Sequence, residues 1–309
     1  MIANLNTLPE ISIVLATYNG EKYIHEQLNS ILNSNEFSKL VKEIVITDDG
    51  STDNTQKILD KYIVDFNRIR CVKNSKEHKG VIGNFLNGIN NCSGKYIMLS
   101  DQDDVWLPNK IKESYECIIN VETDKRVPTI VFSDLKIVDS SLNIKAESFF
   151  SFFKVNPDES INIRKLVLNN IAPGCTCIFN RELLKYSVPF PNNIIMHDWW
   201  LLLVASVVGR VSIIKKPLIL YRQHESNVIG AKSEKFKDKI INIISIARTY
   251  KIQKERKKLQ AENLLQLKIF FKNKDTENII HSFSNNVFFP TMWENSFFRR
   301  LLSIFSLIF

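Results

Sequence analysis

Along the first hundred residues the chain repeats one pattern: a short apolar run, a knot of polar residues, then an amphipathic stretch. Ile11 to Ala16 is an apolar run of strand length that ends in Thr17-Tyr18-Asn19-Gly20. Behind it Ile24, Leu28, Ile31 and Leu32 recur at i, i+4, i+7 and i+8, which predicts a helix with one buried face. Glu43 to Thr47 predicts a second strand, ending in Asp48-Asp49-Gly50-Ser51-Thr52-Asp53. Gly50 suits a tight turn there, and the Ser/Thr/Asp cluster supplies an N-cap for a helix around Thr55 to Val64. Arg68 to Val72 predicts a third strand, and Phe85, Leu86 and Ile89 mark a helix after Gly80. The apolar run Tyr96 to Leu99 is a fourth strand, and it stops at Asp101. Strands alternating with helices through short loops build a parallel sheet from right-handed βαβ units. The carboxyl ends of such strands share one edge, where open α/β sheets bind ligands. Thr17 to Gly20, Asp48 to Asp53 and Asp101 to Asp104 are therefore expected to form one site.

The second half changes character. Thr129 to Asp139 alternates as an antiparallel or edge strand does. Ser148 to Lys154 is rich in aromatics, and Asn156 to Ser160 reads as a polar loop. Ile171 to Cys177 is a turn feeding a small strand, and Met196-His197-Asp198-Trp199-Trp200 opens a strongly apolar helix through Val208. Val211 to Tyr221 is strand-like, interrupted by Lys215-Lys216-Pro217, and ends in Arg222-Gln223-His224. Beyond Gly230 the chain is Lys-rich and helical in pattern. Its last residues, Phe297 to Phe309, place an apolar segment behind Arg299-Arg300, the composition of a helix lying in a membrane interface. A helix docked on the catalytic domain or on a second subunit would have the same composition.

Composition narrows the classes. The chain has 309 residues, enough for one large catalytic domain with an appendage. Its net charge of +8 is uneven: residues 231–260 hold ten Lys and Arg against three acids, which points to an anionic partner. Aromatics are not interleaved with those cations as stacking platforms, so a membrane surface fits better than nucleic acid. The five cysteines, Cys71, Cys92, Cys117, Cys175 and Cys177, lack CxxC spacing and read as small buried hydrophobes in a reducing compartment. Met1 to Ile11 has neither a basic nor an apolar leader segment, and neither Trp199 to Val208 nor Leu301 to Phe309 is long enough to span a bilayer. A cytoplasmic protein peripheral to the inner membrane face is expected.

The chemistry concentrates in Ser100-Asp101-Gln102-Asp103-Asp104-Val105-Trp106. Three carboxylates within four residues at a strand end repel one another unless a cation or a hydrogen-bond network lies among them. Mg²⁺ or Mn²⁺, which favour oxygen ligands and take one or two carboxylates plus substrate phosphates, suit that position. A solvated acidic turn before the helix that begins near Pro108 would read the same way in isolation.

Ser12 to Asn19, Ile44 to Thr55 and the Asp-Gln-Asp-Asp-Val-Trp box together resemble glycosyltransferase family 2, and within it the bacterial rhamnosyltransferase-like branch. The resemblance covers about Ile11 to Gly230. It implies the GT-A fold, a Rossmann-like mixed α/β sheet flanked by helices, with a nucleotide-binding half over about 10–107 and an acceptor-binding half over about 108–230. Residues 231–309 would form a basic, amphipathic helical extension outside the shared region. By the same resemblance Thr17, Tyr18 and Asn19 border the nucleotide and Asp49 bonds the base. Asp103 would be the direct metal ligand, Asp101 would lie nearer the ribose or sugar while completing the DxD pair, and His224 would be a third ligand. Asp198 matches the position of the catalytic base. Trp199 and Trp200 beside it would form an apolar wall against the acceptor sugar. The implied reaction is transfer, with inversion, from dTDP-rhamnose or a UDP-hexose to a hydroxyl of a saccharide acceptor in bacterial surface-polysaccharide synthesis. Outside the shared region, the basic and apolar tail motivates a lipid-linked acceptor at the cytoplasmic membrane face, and a homo-oligomer is compatible with that tail.

Other classes compete for the same residues. Asp101-Gln102-Asp103-Asp104-Val105 also satisfies the nucleophile pattern of haloacid-dehalogenase-type phosphatases, though that motif opens its domain, and here two strand-end clusters come first. A non-catalytic carbohydrate-binding module is a further alternative. No GxGxxG follows the first strand, which argues against a dehydrogenase, and Thr17-Tyr18-Asn19-Gly20 is not the Gly-rich, Arg-bearing loop of a sugar-nucleotide pyrophosphorylase.

Overall fold

A computed structural model describes residues 8–74, 79–224 and 243–285. The basic run up to residue 242 and the apolar segment Phe297 to Phe309 lie outside the described residues.

The chain divides into two compact units, Met1–Phe190 with Met196–Ala231, and Pro191–Ile195 with Lys232–Phe309. In the first, strands β1 (Ile11–Thr17), β2 (Val41–Asp48), β3 (Ile69–Lys73) and β4 (Tyr96–Ser100) are parallel neighbours in the order β3-β2-β1-β4. Between them run helices α1 (Ile24–Leu32), α2 (Phe37–Leu40), α3 (Thr55–Asp65) and α4 (Gly80–Asn91). Ile11, Ile13, Val14 and Leu15 of β1 have no exposed surface, as expected of a parallel strand covered on both faces. Ile24, Leu28 and Ile31 turn the predicted face of α1 into the same core. A Cβ at Gly88 would fall 2.3 Å from Val14 Cγ1, so α4 rides directly on β1. The register sets Thr17 level with Asp48 and Leu15 level with Ser100, which brings the three polar strand ends to one edge, as the sequence predicts.

The sheet then continues in mixed sense. Strand β5 (Val105–Trp106) follows the acidic box and α5 (Lys110–Val121) follows β5; then come β6 (Thr129–Val138), β7 (Ile144–Ala146) and the short helices α6 (Phe149–Phe152), α7 (Pro157–Ser160) and α8 (Ile163–Leu166). β8 (Cys177–Asn180), α9 (Leu184–Ser187), α10 (His197–Val208) and β9 (Arg210–Arg222) complete the unit. The order beyond β4 is β8-β6-β9-β5, with β7 paired to β6. Three expectations are refined. β6 is antiparallel to β7 and β8, as one of the two expected readings has it, but it is an interior strand and not an edge: it also pairs in parallel with β9, and its residues are buried on both faces. The stretch expected as a polar loop contains α7, whose Pro157 occupies the first helical turn where its missing N–H costs nothing. β9 runs unbroken through Lys215-Lys216-Pro217, its pairing with β6 shifting register beside Pro217, which has no N–H to offer.

In the second unit α11 (Ile243–Leu265) and α12 (Lys274–Ser284) pack on each other. Asn273 caps α12 by accepting from Thr276 N at 2.9 Å, and Gln260 of α11 accepts from Ile195 N at 3.0 Å. Ala261, Leu264, Ile279, Ile280 and Phe283 form its buried apolar contacts.

Candidate active site

The end of β1 is wired to its neighbours by side chains that cap backbone groups. Gln102, inside the acidic box, accepts from Thr17 Oγ1 at 2.6 Å and from Tyr18 N at 2.9 Å, and its Nε2 donates to the Tyr18 carbonyl at 3.1 Å. A Cβ at Gly20 would meet Gln102 Oε1 at 2.3 Å, so a side chain there would have to displace the Gln102 amide. Asn19 adopts a left-handed conformation (φ 48°), which asparagine tolerates better than most residues. Its N–H donates to Ser51 Oγ at 2.8 Å and its Oδ1 accepts from Thr52 N at 2.8 Å. Asp49 N donates to the Thr17 carbonyl at 3.0 Å. The Asp49 carboxylate accepts from Asn74 Nδ2 at 3.0 Å and from Gly80 N, at the start of α4, at 2.8 Å. Thr17, Tyr18, Asn19 and Asp49 thus belong to one connected rim, with the Tyr18 ring 54% exposed above it.

Beyond β4 the acids part company. Asp101 and Asp104 turn toward Cys175, the three offering ligand atoms within 4.8 Å of one another. Asp103 turns the other way, its Oδ2 lying 2.8 Å from His224 Nε2. Burial, then the charges of Asp103 and Asp198, push the Asp101 carboxyl up to about 7. Asp104, fully buried, is pushed well above the carboxylate range by burial and by Asp103 and Asp101, and its Oδ2 has no hydrogen-bond partner among the described residues. Beneath them Lys110 is fully buried with its Nζ 4.7 Å over the Trp106 ring. Burial lowers this amine to about 8, against the pull of Cys175, Cys177 and Asp104.

Arg222, at the end of β9, locks the acidic loop in place. Its N–H donates to Asp104 Oδ1 at 3.1 Å, its Nε to the Asp103 carbonyl at 2.7 Å and its Nη1 to the Ser140 carbonyl at 2.8 Å, while Nη2 pairs with Glu26. The guanidinium lies 4.5 Å from the centroid of the Tyr23 ring, and the His224 ring stacks on the same tyrosine at 4.9 Å. The imidazole therefore reaches Asp103 already oriented.

Asp198 lies in the first turn of α10, with Met196 as the N-cap residue. It accepts from Gly174 N at 2.8 Å and from the adjacent Trp199 N at 2.6 Å. Its charge acts on Asp101, so the sheet edge and the helix start share one site. The wall expected from the tryptophans is corrected: Trp199 and Trp200 are only 6% and 2% exposed, and their indole nitrogens donate to the carbonyls of Leu166 and Ser187. They anchor α10 instead of presenting a ring face. His197 is buried against Phe85 at 4.0 Å, and burial holds its imidazole below the ordinary value.

The ligand set expected from the sequence is divided here: Asp103 pairs with His224, whereas the donor atoms that gather within 4.8 Å of one another, among the described residues, are those of Asp101, Asp104 and Cys175. The neighbouring carboxylates are oxygen donors of the kind a hard divalent cation takes. Burial, then the charges of Asp104 and Asp101, raise the Cys175 thiol well above its usual range.

Sequence reading missed Gln102, Arg222, Glu26, Lys110 and Cys175. Gln102 sat in plain view between two aspartates, and Arg222 two residues before His224. Nothing in the sequence ties Arg222 to a carbonyl 119 residues away, or Lys110 to the floor beneath the acids.

Residues 12–187 match the model of the family described as Glycosyl transferase family 2. A dTDP-rhamnosyl transferase, RfbG of Shigella flexneri, is 31% identical over 233 residues, 70% of this chain and 74% of that protein. The glycosyltransferase GlyG of Streptococcus pneumoniae serotype 4 is 26% identical over 238 residues, 71% of this chain and 72% of its own. Among solved structures, S. aureus TarS 1-349 in complex with UDP-GlcNAc superposes with a TM-score of 0.60 at 20% identity, over 89% of this chain and 72% of that one. The mannosyltransferase PcManGT from Pyrobaculum calidifontis, in complex with GDP-Man and Mn²⁺, gives 0.54 at 17%, over 90% and 69%.

Proposed function

The chain belongs to glycosyltransferase family 2 and has the GT-A fold, and from that premise we propose that it is an inverting, divalent-metal-dependent transferase. The donor in this reading is a pyrimidine nucleotide-sugar, dTDP-rhamnose ahead of a UDP-hexose, and the acceptor is a saccharide hydroxyl in bacterial surface-polysaccharide synthesis. The similarity to a dTDP-rhamnosyl transferase favours the first donor. The observation that carries the reading is the convergence of the loop after β4, with Asp101 and Asp103, on Asp198 at the start of α10, the charges of Asp103 and Asp198 both acting on Asp101.

In this mechanism Thr17, Tyr18, Asn19 and Asp49 line the nucleotide, Asp49 meeting the base. Asp103, Asp101 and His224 would hold Mn²⁺ or Mg²⁺, which when bound acts as a Lewis acid toward the diphosphate, worth several kcal/mol of charge stabilisation. Asp198 accepts the proton of the acceptor hydroxyl. The hydroxyl oxygen forms its bond to the anomeric carbon from the face opposite the leaving group, the bond from that carbon to the diphosphate oxygen breaks, and its electron pair leaves with the diphosphate. A separate base carboxylate and no second nucleophile make this a single displacement with inversion. Gly174 N, bonded to Asp198, holds the carboxylate in place. The acceptor is lipid-linked at the cytoplasmic membrane face, with the basic segment 231–309 as the contact.

A thermal-shift titration with dTDP, UDP and GDP, each with and without Mn²⁺, tests the donor assignment. A ligand at 100 times its dissociation constant stabilises a fold by about 2.7 kcal/mol, which is readily seen. Manganese-dependent stabilisation by dTDP above UDP and GDP is expected; equal or absent shifts would remove the donor assignment.

A further inference from the structure

The turn of the second unit exposes two large apolar side chains. Lys268–Phe270 form a single 3₁₀ turn between α11 and α12. Ile269 is 78% exposed there and Phe270 49%, although the hairpin buries Ala261, Leu264, Ile279, Ile280 and Phe283 between its helices. Exposed Lys268, Lys272 and Lys274 bracket the two apolar side chains, with Lys274 also bonded to Glu277 at 3.0 Å. Two large adjacent hydrophobes at a helix–helix turn gain nothing in water, where turns are ordinarily polar.

Charge identifies the occupant. Residues 232–309 hold fifteen Lys and Arg against seven Asp and Glu, an excess of eight that equals the excess of the whole chain, 41 against 33. The catalytic part of the sequence is therefore neutral, and the entire positive balance belongs to the unit that bears the apolar tip. A surface that is anionic at its face and hydrocarbon just beneath satisfies both features together. Nucleic acid would answer the charge alone and leave Ile269 and Phe270 in water.

We propose that the α11–α12 turn is a membrane-insertion tip, Ile269 and Phe270 entering the interface of an anionic bilayer while Lys268, Lys272 and Lys274 meet the lipid phosphates. The proposal rests on the reading that the enzyme works at a membrane, and it assigns that contact to a defined turn.

Cosedimentation of the full chain with phosphatidylcholine vesicles, with and without phosphatidylglycerol, tests it. The unaltered protein is expected to bind the anionic vesicles and to release at high salt. Ile269→Asp/Phe270→Asp is expected to weaken that binding about tenfold or more. Because both side chains are exposed, the variant should keep its melting temperature and its nucleotide-induced shift, and a Phe270→Trp variant should shift its emission to the blue on vesicle addition. If the unaltered chain ignores the vesicles, the membrane reading itself fails. If it binds and the Asp pair binds equally, or if the Asp pair alters the oligomeric mass instead, the tip is not the insertion point and the proposal is overturned.

Discussion

At the scale of single residues the site separates chemistry from positioning. Asp198 is held by a backbone N–H from a different loop, that of Gly174, and Asn preserves that contact while removing the basicity. Asp198→Asn is expected to lower transfer by about 10²–10⁴-fold and leave the nucleotide-induced thermal shift intact; normal turnover would refute the base assignment. Gln102 plays the other part. Its amide spans the acidic box and both backbone groups of Tyr18, so Gln102→Ala frees the rim where the nucleotide is expected to lie. The expected signature is a donor KM raised about tenfold with kcat little changed, since each lost hydrogen bond is worth about 1 kcal/mol; steady-state kinetics decide it. Asp101 and Asp103 stand out in the sequence as carboxylates at a strand end, whereas Asp198 is singled out by the family resemblance. Arg222 was not, because a buried arginine is specified by the carbonyls around it, and those come from Asp103 and Ser140, remote in sequence.

At the scale of elements the first four strands were read almost to their ends, because buried parallel strands are unbroken apolar runs and helices show one face. The later half was harder to read. β6 and β9 join across a parallel pairing that no local pattern announces, and the two residues of β5 are a strand only because β9 lies beside them. Two element contacts yield predictions. Gly88→Ala would drive a methyl into Val14 and separate α4 from β1, costing about 1–3 kcal/mol by overpacking; a lower urea midpoint at unchanged slope would show it. Glu43 staples β2 to β1, β3 and the turn before β4, through Ser12, Arg70 and Ser93. Burial alone would raise its carboxyl, yet those hydrogen bonds outweigh it and hold the group at about 2, against an ordinary 4.5. A carboxyl lowered by folding adds stability that is full above about 4.5 and is lost as pH falls toward 2. Glu43→Gln lacks this contribution, so its deficit of about 3 kcal/mol at neutral pH should close across that window in urea titrations. A deficit independent of pH would mean that packing, not charge, makes the staple.

At the scale of the molecule the balance of charge divides the work. Residues up to 231 carry a net charge near zero yet gather Asp101, Asp103, Asp104 and Asp198 at one sheet edge, with burial raising Asp101 and Asp104 against ionisation. Folding therefore gathers carboxylates that oppose one another's ionisation, and under the proposed function a bound cation would relieve that opposition and stabilise the edge. The global melting temperature should register this. Dialysis against EDTA is expected to lower it, and returned Mn²⁺ to raise it with the logarithm of the ion concentration, about 2.7 kcal/mol at 100 times the dissociation constant. Asp103→Asn should abolish most of that response by removing a ligand, whereas Ile269→Asp, in the other unit, should leave it whole. A melting temperature indifferent to EDTA and Mn²⁺ would mean that Lys110, Arg222 and His224 already compensate the acids, and that the edge is a network satisfied by protein alone.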